Sequence, residues 1–107
     1  MSAFVCYCNC PDSDSARRIA GTLVEERLAA CVSILPGVVS VYRWDGCVQR
    51  ADEVLLMIKT SDARLQALTA RVGELHPYEL PEVIAVEVAA GLPAYLAWIA
   101  AETDGQA

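Results

Sequence analysis

The stretch Ser40-Val41-Tyr42-Arg43-Trp44-Asp45-Gly46 places an Asp-Gly pair between two long apolar segments. Asp-Gly is a strong signal for a two-residue β-hairpin turn, because both central residues of that turn need a positive φ. The segment before the turn, about residues 31–44, is interrupted by Pro36-Gly37, which indicates a bulge or bend. The segment after it, about residues 47–59, has an alternating apolar face of Val54, Leu56 and Ile58. The sequence therefore predicts a long β-hairpin.

Helices and strands are also predicted on both sides of this hairpin. Residues 3–9 alternate like a strand, and Pro11-Asp12-Ser13 then offers the N-cap of a first helix. A second helix is predicted from Ser61-Asp62, a fourth strand over about residues 82–89, and a last short helix from Pro93. The order is βαββαβ with a C-terminal helix, which is typical of the ferredoxin-like α+β fold.

The chain of 107 residues has the length of one domain, and we expect residues 1–107 to form it. In the ferredoxin-like topology the second and fourth strands are the edges of the sheet. The second strand and its hairpin are long and apolar, and an uncovered edge of this kind is an association site. We therefore expect the hairpin edge to pair with another subunit.

The composition limits the classes of function. Hydrophobic residues make up 55% of the chain, which is high for a lone soluble domain and suggests apolar surface between subunits. The net charge is −6 and no run of Lys or Arg occurs, which argues against a nucleic-acid partner and fits cationic partners, including metal ions. No segment approaches the roughly 20 apolar residues that span a bilayer. The five cysteines do not resemble a disulfide scaffold, and no targeting signal is visible, so a cytoplasmic protein with reduced thiols is expected.

The only histidine lies in a proline-bracketed stretch, His76-Pro77-Tyr78-Glu79-Leu80-Pro81-Glu82. The two prolines remove backbone donors and disfavour helix in the residues before them, so the stretch is predicted to be a stiff loop. Loops of this kind carry function more often than the elements they connect. Histidine is also a common metal ligand and titrates near neutral pH.

Several blocks of the sequence, taken together, resemble the CutA divalent-ion tolerance family. They occur in the family's order and span about residues 5–100: Cys8-Asn9-Cys10-Pro11-Asp12, Leu28-Ala29-Ala30-Cys31-Val32, Ser40 to Gly46, Glu53, Lys59-Thr60, His76-Pro77-Tyr78-Glu79, Pro81-Glu82 and Tyr95-Leu96-Ala97-Trp98. The resemblance implies a ferredoxin-like fold and a PII-like homotrimer whose hairpins extend the sheets of neighbouring subunits. It also implies binding of copper or another divalent metal ion. No catalytic reaction of the family carries over, so we expect no enzyme.

Cys8, Cys10 and His76 are the predicted metal ligands. The resemblance places an ion-ligating cysteine at Cys8 and assigns His76 as its partner, while Cys10 lies beside them at the strand end. Residues two apart on a flat strand are about 6.6–6.8 Å apart, so a bend or suitable rotamers must bring the two thiols together. Thiolate and imidazole suit copper or zinc rather than calcium or magnesium. The alternative is that His76 is a hydrogen-bonded structural residue. Cys6 and Cys31 are expected to be buried, and Cys47 to be exposed at the hairpin tip.

A second set of residues has the composition of an intersubunit cleft that binds a small polar effector: Tyr42, Trp44, Lys59, Tyr78, Glu79 and Glu82. If Asp45-Gly46 is the turn, Tyr42 and Trp44 share one face near the hairpin tip. The alternative is that these aromatic rings pack against a neighbouring subunit. Lys59 ends an apolar strand and needs a partner, for which Glu79 or Glu82 is expected.

Three classes of function follow. The first is a trimeric protein that binds divalent cations, copper in particular, and contributes to tolerance of them. The second is a PII-like signalling or scaffold trimer that binds a small effector or an unidentified partner protein in its intersubunit clefts. The third is an enzyme that uses His76 with Glu79, or a cysteine nucleophile; no recognised catalytic spacing accompanies these residues.

Overall fold

The computed structural model describes residues 2–104 and has the predicted order of elements. The strands and helices are β1 (Ala3–Cys10), α1 (Ser13–Glu25), β2 (Cys31–Trp44), β3 (Cys47–Ser61), α2 (Asp62–Leu75), β4 (Ile84–Glu87) and α3 (Pro93–Glu102). The helix starts follow the sequence signals. Asp12 caps α1 by accepting a hydrogen bond from the backbone N–H of Ser15, and Pro93 occupies the first turn of α3.

The four strands form one antiparallel sheet in the order β2-β3-β1-β4. This is the ferredoxin-like topology, so the predicted α+β fold is confirmed, with β2 and β4 at the edges. β4 is shorter than the predicted 82–89, because its backbone pairs with β1 only from Ile84 to Glu87. Glu82 instead contacts β1 through its side chain, which accepts a hydrogen bond from Asn9.

The hairpin has the predicted turn and register. Trp44 is opposite Cys47 and Tyr42 is opposite Gln49, as expected for an Asp45-Gly46 turn. Asp45 has φ 51° and Gly46 has φ 77°, the left-handed geometry that suits the right-handed twist of the strands. The register shifts between Leu35 and Val38, which confirms the bulge predicted at Pro36-Gly37.

The core lies between one face of the sheet and helices α1 and α2. Cys6, Cys8 and Cys10 of β1 face this core together with residues of β3 and of both helices: Val54, Leu56, Ile58, Ile19, Leu23, Leu68 and Val72. The three β3 residues predicted from the alternating pattern are all buried. The predicted metal-ligating cysteines therefore belong to the hydrophobic core, on the side of the sheet that the helices cover.

The opposite face of the sheet leaves large apolar side chains exposed. By strand alternation this face carries Tyr42 and Trp44 of β2 and Ile84 and Val86 of β4, all of which are exposed. Exposed aromatic and branched side chains on one sheet face, next to an unpaired edge strand, are typical of a surface that associates.

We expect Gly46→Ala to destabilise the fold by about 1 kcal/mol, because alanine disfavours the positive φ of this turn position. The matched control is Gly73→Ala in α2, where an added Cβ meets no atom within 4 Å. That change should stabilise the fold by about 0.5–1 kcal/mol, since alanine favours helix. Urea unfolding at one chain concentration measures both. No loss of stability at Gly46 would contradict the turn geometry, and a loss at Gly73 would contradict the open helical position of that residue.

Candidate metal centre

The C-terminal end of β1 presents two thiols to the core. Cys8 and Cys10 are both 0% exposed, and they lie on one face because strand residues two apart share a face. β1 is a central strand, and pairing with β3 opposite Leu56 and Val54 holds Cys8 and Cys10 in register. Asn9, between them, points to the opposite face, while its carbonyl oxygen remains close to the thiols.

α2 delivers the histidine to the same place. His76 is the C-cap of α2, with extended φ and ψ of −76° and 136°, which is the geometry that the following Pro77 favours. Its Nε2 lies 2.7 Å from the carbonyl oxygen of Asn9, and its Nδ1 accepts a hydrogen bond of 3.1 Å from the backbone N–H of Tyr78. Because that N–H can only donate, the neutral ring carries its proton on Nε2 and donates it to Asn9.

The structure brings the three predicted ligands together. One ligand atom each from Cys8, Cys10 and His76 lie within 4.8 Å of one another, and all three side chains are buried. The Asn9 carbonyl connects the imidazole with the Cys8 thiol, which lies 3.9 Å from the same oxygen. The two sulfur atoms are therefore closer together than the spacing of about 6.6–6.8 Å on a flat strand, and close to the sulfur–sulfur distance in a metal site.

The two thiols differ in their readiness to ionise. The pKa of Cys8 is raised far above its ordinary value by its hydrogen bond to Cys10, by burial and by the nearby carboxylates of Glu82 and Glu53. The pKa of Cys10 is lowered, chiefly by the neighbouring Cys8 side chain. Cys6 lies two residues before Cys8 on the strand, and burial alone raises its pKa to about 11. Cys10 is therefore the first of the three to form a thiolate.

This donor set fits a soft metal ion. Two sulfurs and one imidazole nitrogen are the ligands that copper and zinc prefer. Metal–sulfur bonds of about 2.3 Å place two sulfurs about 4 Å apart when a third ligand is also bound, so the cluster requires a contraction of up to about 1 Å. The imidazole sets a condition, because both of its nitrogens are in hydrogen bonds. Metal binding through Nε2 would require the ring proton to move to Nδ1, and both the hydrogen bond to Asn9 and the one from the Tyr78 N–H would then be lost. The metal-free ring is therefore the hydrogen-bonded histidine of the alternative interpretation.

The predicted cleft residues are only partly together. Tyr42, Trp44, Tyr78 and Glu79 line a cavity of about 290 Å³ with Leu80. A neighbouring cavity of about 240 Å³ has a polar wall that includes Asn9, Ser40, Glu53 and Glu82. Both lie on the sheet face opposite α1 and α2, below the hairpin tip.

Sequence reasoning had not included Glu53 among the cleft residues. Its carboxylate is buried, with the residue 8% exposed, and it accepts a hydrogen bond of 2.5 Å from the Tyr78 hydroxyl. Burial and this carboxylate raise the pKa of Tyr78. Two signals were available: Glu53 is one of the positions that resemble the family, and it directly precedes the apolar run from Val54 to Ile58.

Two predictions about individual residues are wrong and one is confirmed. The Lys59 ammonium donates a hydrogen bond of 3.0 Å to the Ser33 hydroxyl, not to Glu79 or Glu82, because the strand register places it opposite Cys31 and away from the proline-bracketed loop. Cys31 is half-buried rather than buried. Cys47 is exposed at the hairpin tip, as predicted.

Fold and geometry together define a class: a ferredoxin-like α+β domain with a buried thiol–imidazole cluster where its central strand ends. Residues 4–102 match the family model described as CutA1 divalent ion tolerance protein. The chain belongs to this family. None of the helices within residues 2–104 has the length and apolar character needed to cross a membrane.

Known relatives agree with this assignment. The divalent-cation tolerance protein CutA of Thermus thermophilus is 48% identical over 87% of this chain and 90% of its own length. The crystal structure of CutA from Xylella fastidiosa is 49% identical, with a TM-score of 0.95, and the match covers 97% of this chain and 100% of that one. Protein CutA of Mus musculus is 44% identical over 96% of this chain. The chain spans only 54–62% of the length of several animal and plant relatives.

Proposed function

We propose that the protein forms a homotrimer and binds copper, or another soft metal ion, at Cys8, Cys10 and His76. The observation that carries the proposal is the approach of these three ligand atoms to within 4.8 Å of one another. The family's name, divalent ion tolerance, supports a role in handling such ions. His76 would be the third ligand through Nε2, with the ring proton on Nδ1 and the hydrogen bonds to the Asn9 carbonyl and from the Tyr78 N–H given up.

The trimer is supported by the surface that a single chain leaves uncovered. β2 is an edge strand of 14 residues, and its outer edge has no partner strand among residues 2–104. The sheet face beside it exposes Tyr42, Trp44, Ile84 and Val86. Pairing of this edge with another copy would satisfy its backbone groups, and contact through the sheet face would cover Ile84 and Val86 of β4.

Native mass spectrometry of the reduced protein, titrated anaerobically with copper(I), tests the proposal. We expect a trimer that takes up one ion per chain. His76→Ala should lose this uptake, whereas Cys47→Ser, which removes an exposed thiol outside the cluster, should keep it. A trimer that remains without copper, or that loads equally with and without the imidazole, would contradict the proposed ligand set.

The affinity for copper is expected to rise with pH. The raised pKa of the Cys8 thiol keeps it protonated near neutral pH in the metal-free protein, so metal binding must release that proton. Each proton released should increase the apparent affinity about tenfold per pH unit. Competition titrations between about pH 6 and about pH 8 measure the slope. Cys8→Ser should reduce the slope, and an affinity that does not change with pH would contradict thiolate ligation.

A second candidate function is a PII-like signalling or scaffold trimer that binds an effector or a partner protein. The aromatic and acidic cavities beneath the hairpin favour it, as does the engagement of both His76 nitrogens in hydrogen bonds. The two functions are distinguished by His76→Ala, because the effector cleft does not use the imidazole as a ligand and its binding should change little.

We also propose a cytoplasmic location and a role without catalysis. The five free cysteines suit a reducing compartment. Relatives with the words chloroplastic or periplasmic in their names show that members of the family occur elsewhere. The acidic composition favours cationic partners over nucleic acid.

A further inference from the structure

We infer that the cavity below the hairpin, walled by Glu53, Glu82, Asn9 and the rings of Tyr42, Trp44 and Tyr78, binds an organic cation with an ammonium or guanidinium group. The inference rests on the second candidate function, which it makes specific by naming the chemistry of the ligand. It does not depend on the thiol cluster, which lies on the other face of the sheet.

The wall of this cavity contains two carboxylates that no cation neutralises. The ion pairs found within residues 2–104 join Arg71 to Glu26 and Glu74, so Glu53 and Glu82 have no cationic partner there. The partners of these two carboxylates are neutral donors: the Tyr78 hydroxyl for Glu53 and the Asn9 amide for Glu82. Since Glu53 is only 8% exposed, water does little to offset its charge.

A third acceptor in the same wall lacks a donor. The Asn9 side chain must turn its NH₂ toward Glu82, because a carboxylate only accepts hydrogen bonds. Its Oδ1 is consequently directed elsewhere, and it is buried with no hydrogen-bond partner among residues 2–104. Because that oxygen is buried, the acceptors that a cavity ligand would meet are the Glu53 and Glu82 carboxylates, and a ligand rich in N–H donors would satisfy these two.

The aromatic lining distinguishes an organic cation from a bare metal ion. Tyr42, Trp44 and Tyr78 all line the cavity, and the negative faces of aromatic rings attract ammonium and guanidinium groups. A volume of about 240 Å³ exceeds the need of a single ion but accommodates a small amine together with its carbon chain. The carboxylates would pair with the charge of the ligand, and the aromatic rings would pack against its carbon chain.

The cation has two possible sources, a free amine or the arginine side chain of a second copy of this chain. The hairpin itself carries Arg43 and Arg50, both exposed and without a carboxylate partner among residues 2–104. The experiment therefore includes a variant with both arginines replaced by glutamine.

Calorimetric titration of the whole protein with agmatine and putrescine, with uncharged butanediol as the control ligand, tests the inference. We expect binding of the two cations, no binding of butanediol, and weaker binding at high salt. Glu53→Gln, which keeps the side chain's size, should weaken binding about tenfold. Trp44→Leu should weaken it about threefold. Asp52→Asn, which removes the same charge from outside this cavity, should leave it unchanged.

The outcomes distinguish the two sources of the cation, and they distinguish cation binding from metal binding. Binding to the native protein identifies a free amine, whereas binding only after Arg43→Gln with Arg50→Gln shows that an arginine of another copy occupies the cavity. Absence of binding in both proteins, or equal weakening by Glu53→Gln and Asp52→Asn, would overturn the inference. Copper uptake by the same preparations, and its loss in Cys8→Ser, reports on the metal site independently.

Discussion

Replacing Cys10 by serine should lower the affinity for copper(I) by more than about 100-fold, because loss of a residue that only supports a ligand already costs about 10–100-fold. Cys10 is the thiol whose pKa is lowered, so it supplies the thiolate that a metal ion meets first. Serine is nearly isosteric, and its hydroxyl is a poor ligand for a soft ion. The fold should therefore persist while the affinity is lost.

Competition with a copper(I) chelator under anaerobic conditions measures the change. Cys6→Ser is the matched control, because Cys6 is also 0% exposed on the same face of β1 but lies outside the cluster. Far-ultraviolet circular dichroism shows whether each variant remains folded. Equal losses of affinity in Cys6→Ser and Cys10→Ser would indicate a general effect of polar substitution in the core and would contradict ligation by Cys10.

Removing the hydroxyl of Tyr78 should have the second large effect. Tyr78→Phe leaves the buried Glu53 carboxylate without its hydrogen-bond donor, and we expect a loss of about 2–3 kcal/mol in the free energy of unfolding. The cost arises from burial of an uncompensated charge rather than from the lost contact alone. Adding Glu53→Gln to Tyr78→Phe should restore most of the loss, since a neutral amide replaces the charge.

Urea unfolding at a fixed chain concentration measures this effect, because association changes the apparent stability of an oligomer. Tyr42→Phe is the control: it removes a hydroxyl from an exposed ring that lines the same cavity. Two results would contradict a stabilising Tyr78–Glu53 hydrogen bond. Both phenylalanine variants could lower the free energy of unfolding by the same small amount, or Glu53→Gln could lower it further when added to Tyr78→Phe.

Local signals predicted most of the fold. The Asp45-Gly46 turn, the bulge at Pro36-Gly37 and the helix start at Pro93 each depend on φ preferences of one or two residues. The length of β4 was wrong because strand ends depend on backbone pairing with a neighbour rather than on the strand's own residues. The partner of Lys59 was wrong for a similar reason, since the register between β2 and β3 brings Ser33 to it.

The thiol–imidazole cluster could be predicted from the sequence more completely than the cavity that contains Glu53. Cys8 and Cys10 share a strand face by simple alternation, and the loop that begins at His76 leads into β4, which pairs with β1. The topology therefore brings the imidazole near the thiols once the fold is known. Glu53 and Tyr78 are 25 positions apart, and their contact depends on the path of the proline-bracketed loop across β3. No periodicity in the sequence predicts that path, and the buried carboxylate was missed.

X-ray absorption at the copper edge, recorded on reduced protein loaded with one copper(I) per chain, tests the metal site most directly. We predict two sulfur ligands and one imidazole nitrogen, with one sulfur lost in Cys10→Ser and too little copper retained by His76→Ala to give a spectrum. Copper surrounded by nitrogen and oxygen alone, or a spectrum unchanged by both substitutions, would contradict binding at Cys8, Cys10 and His76.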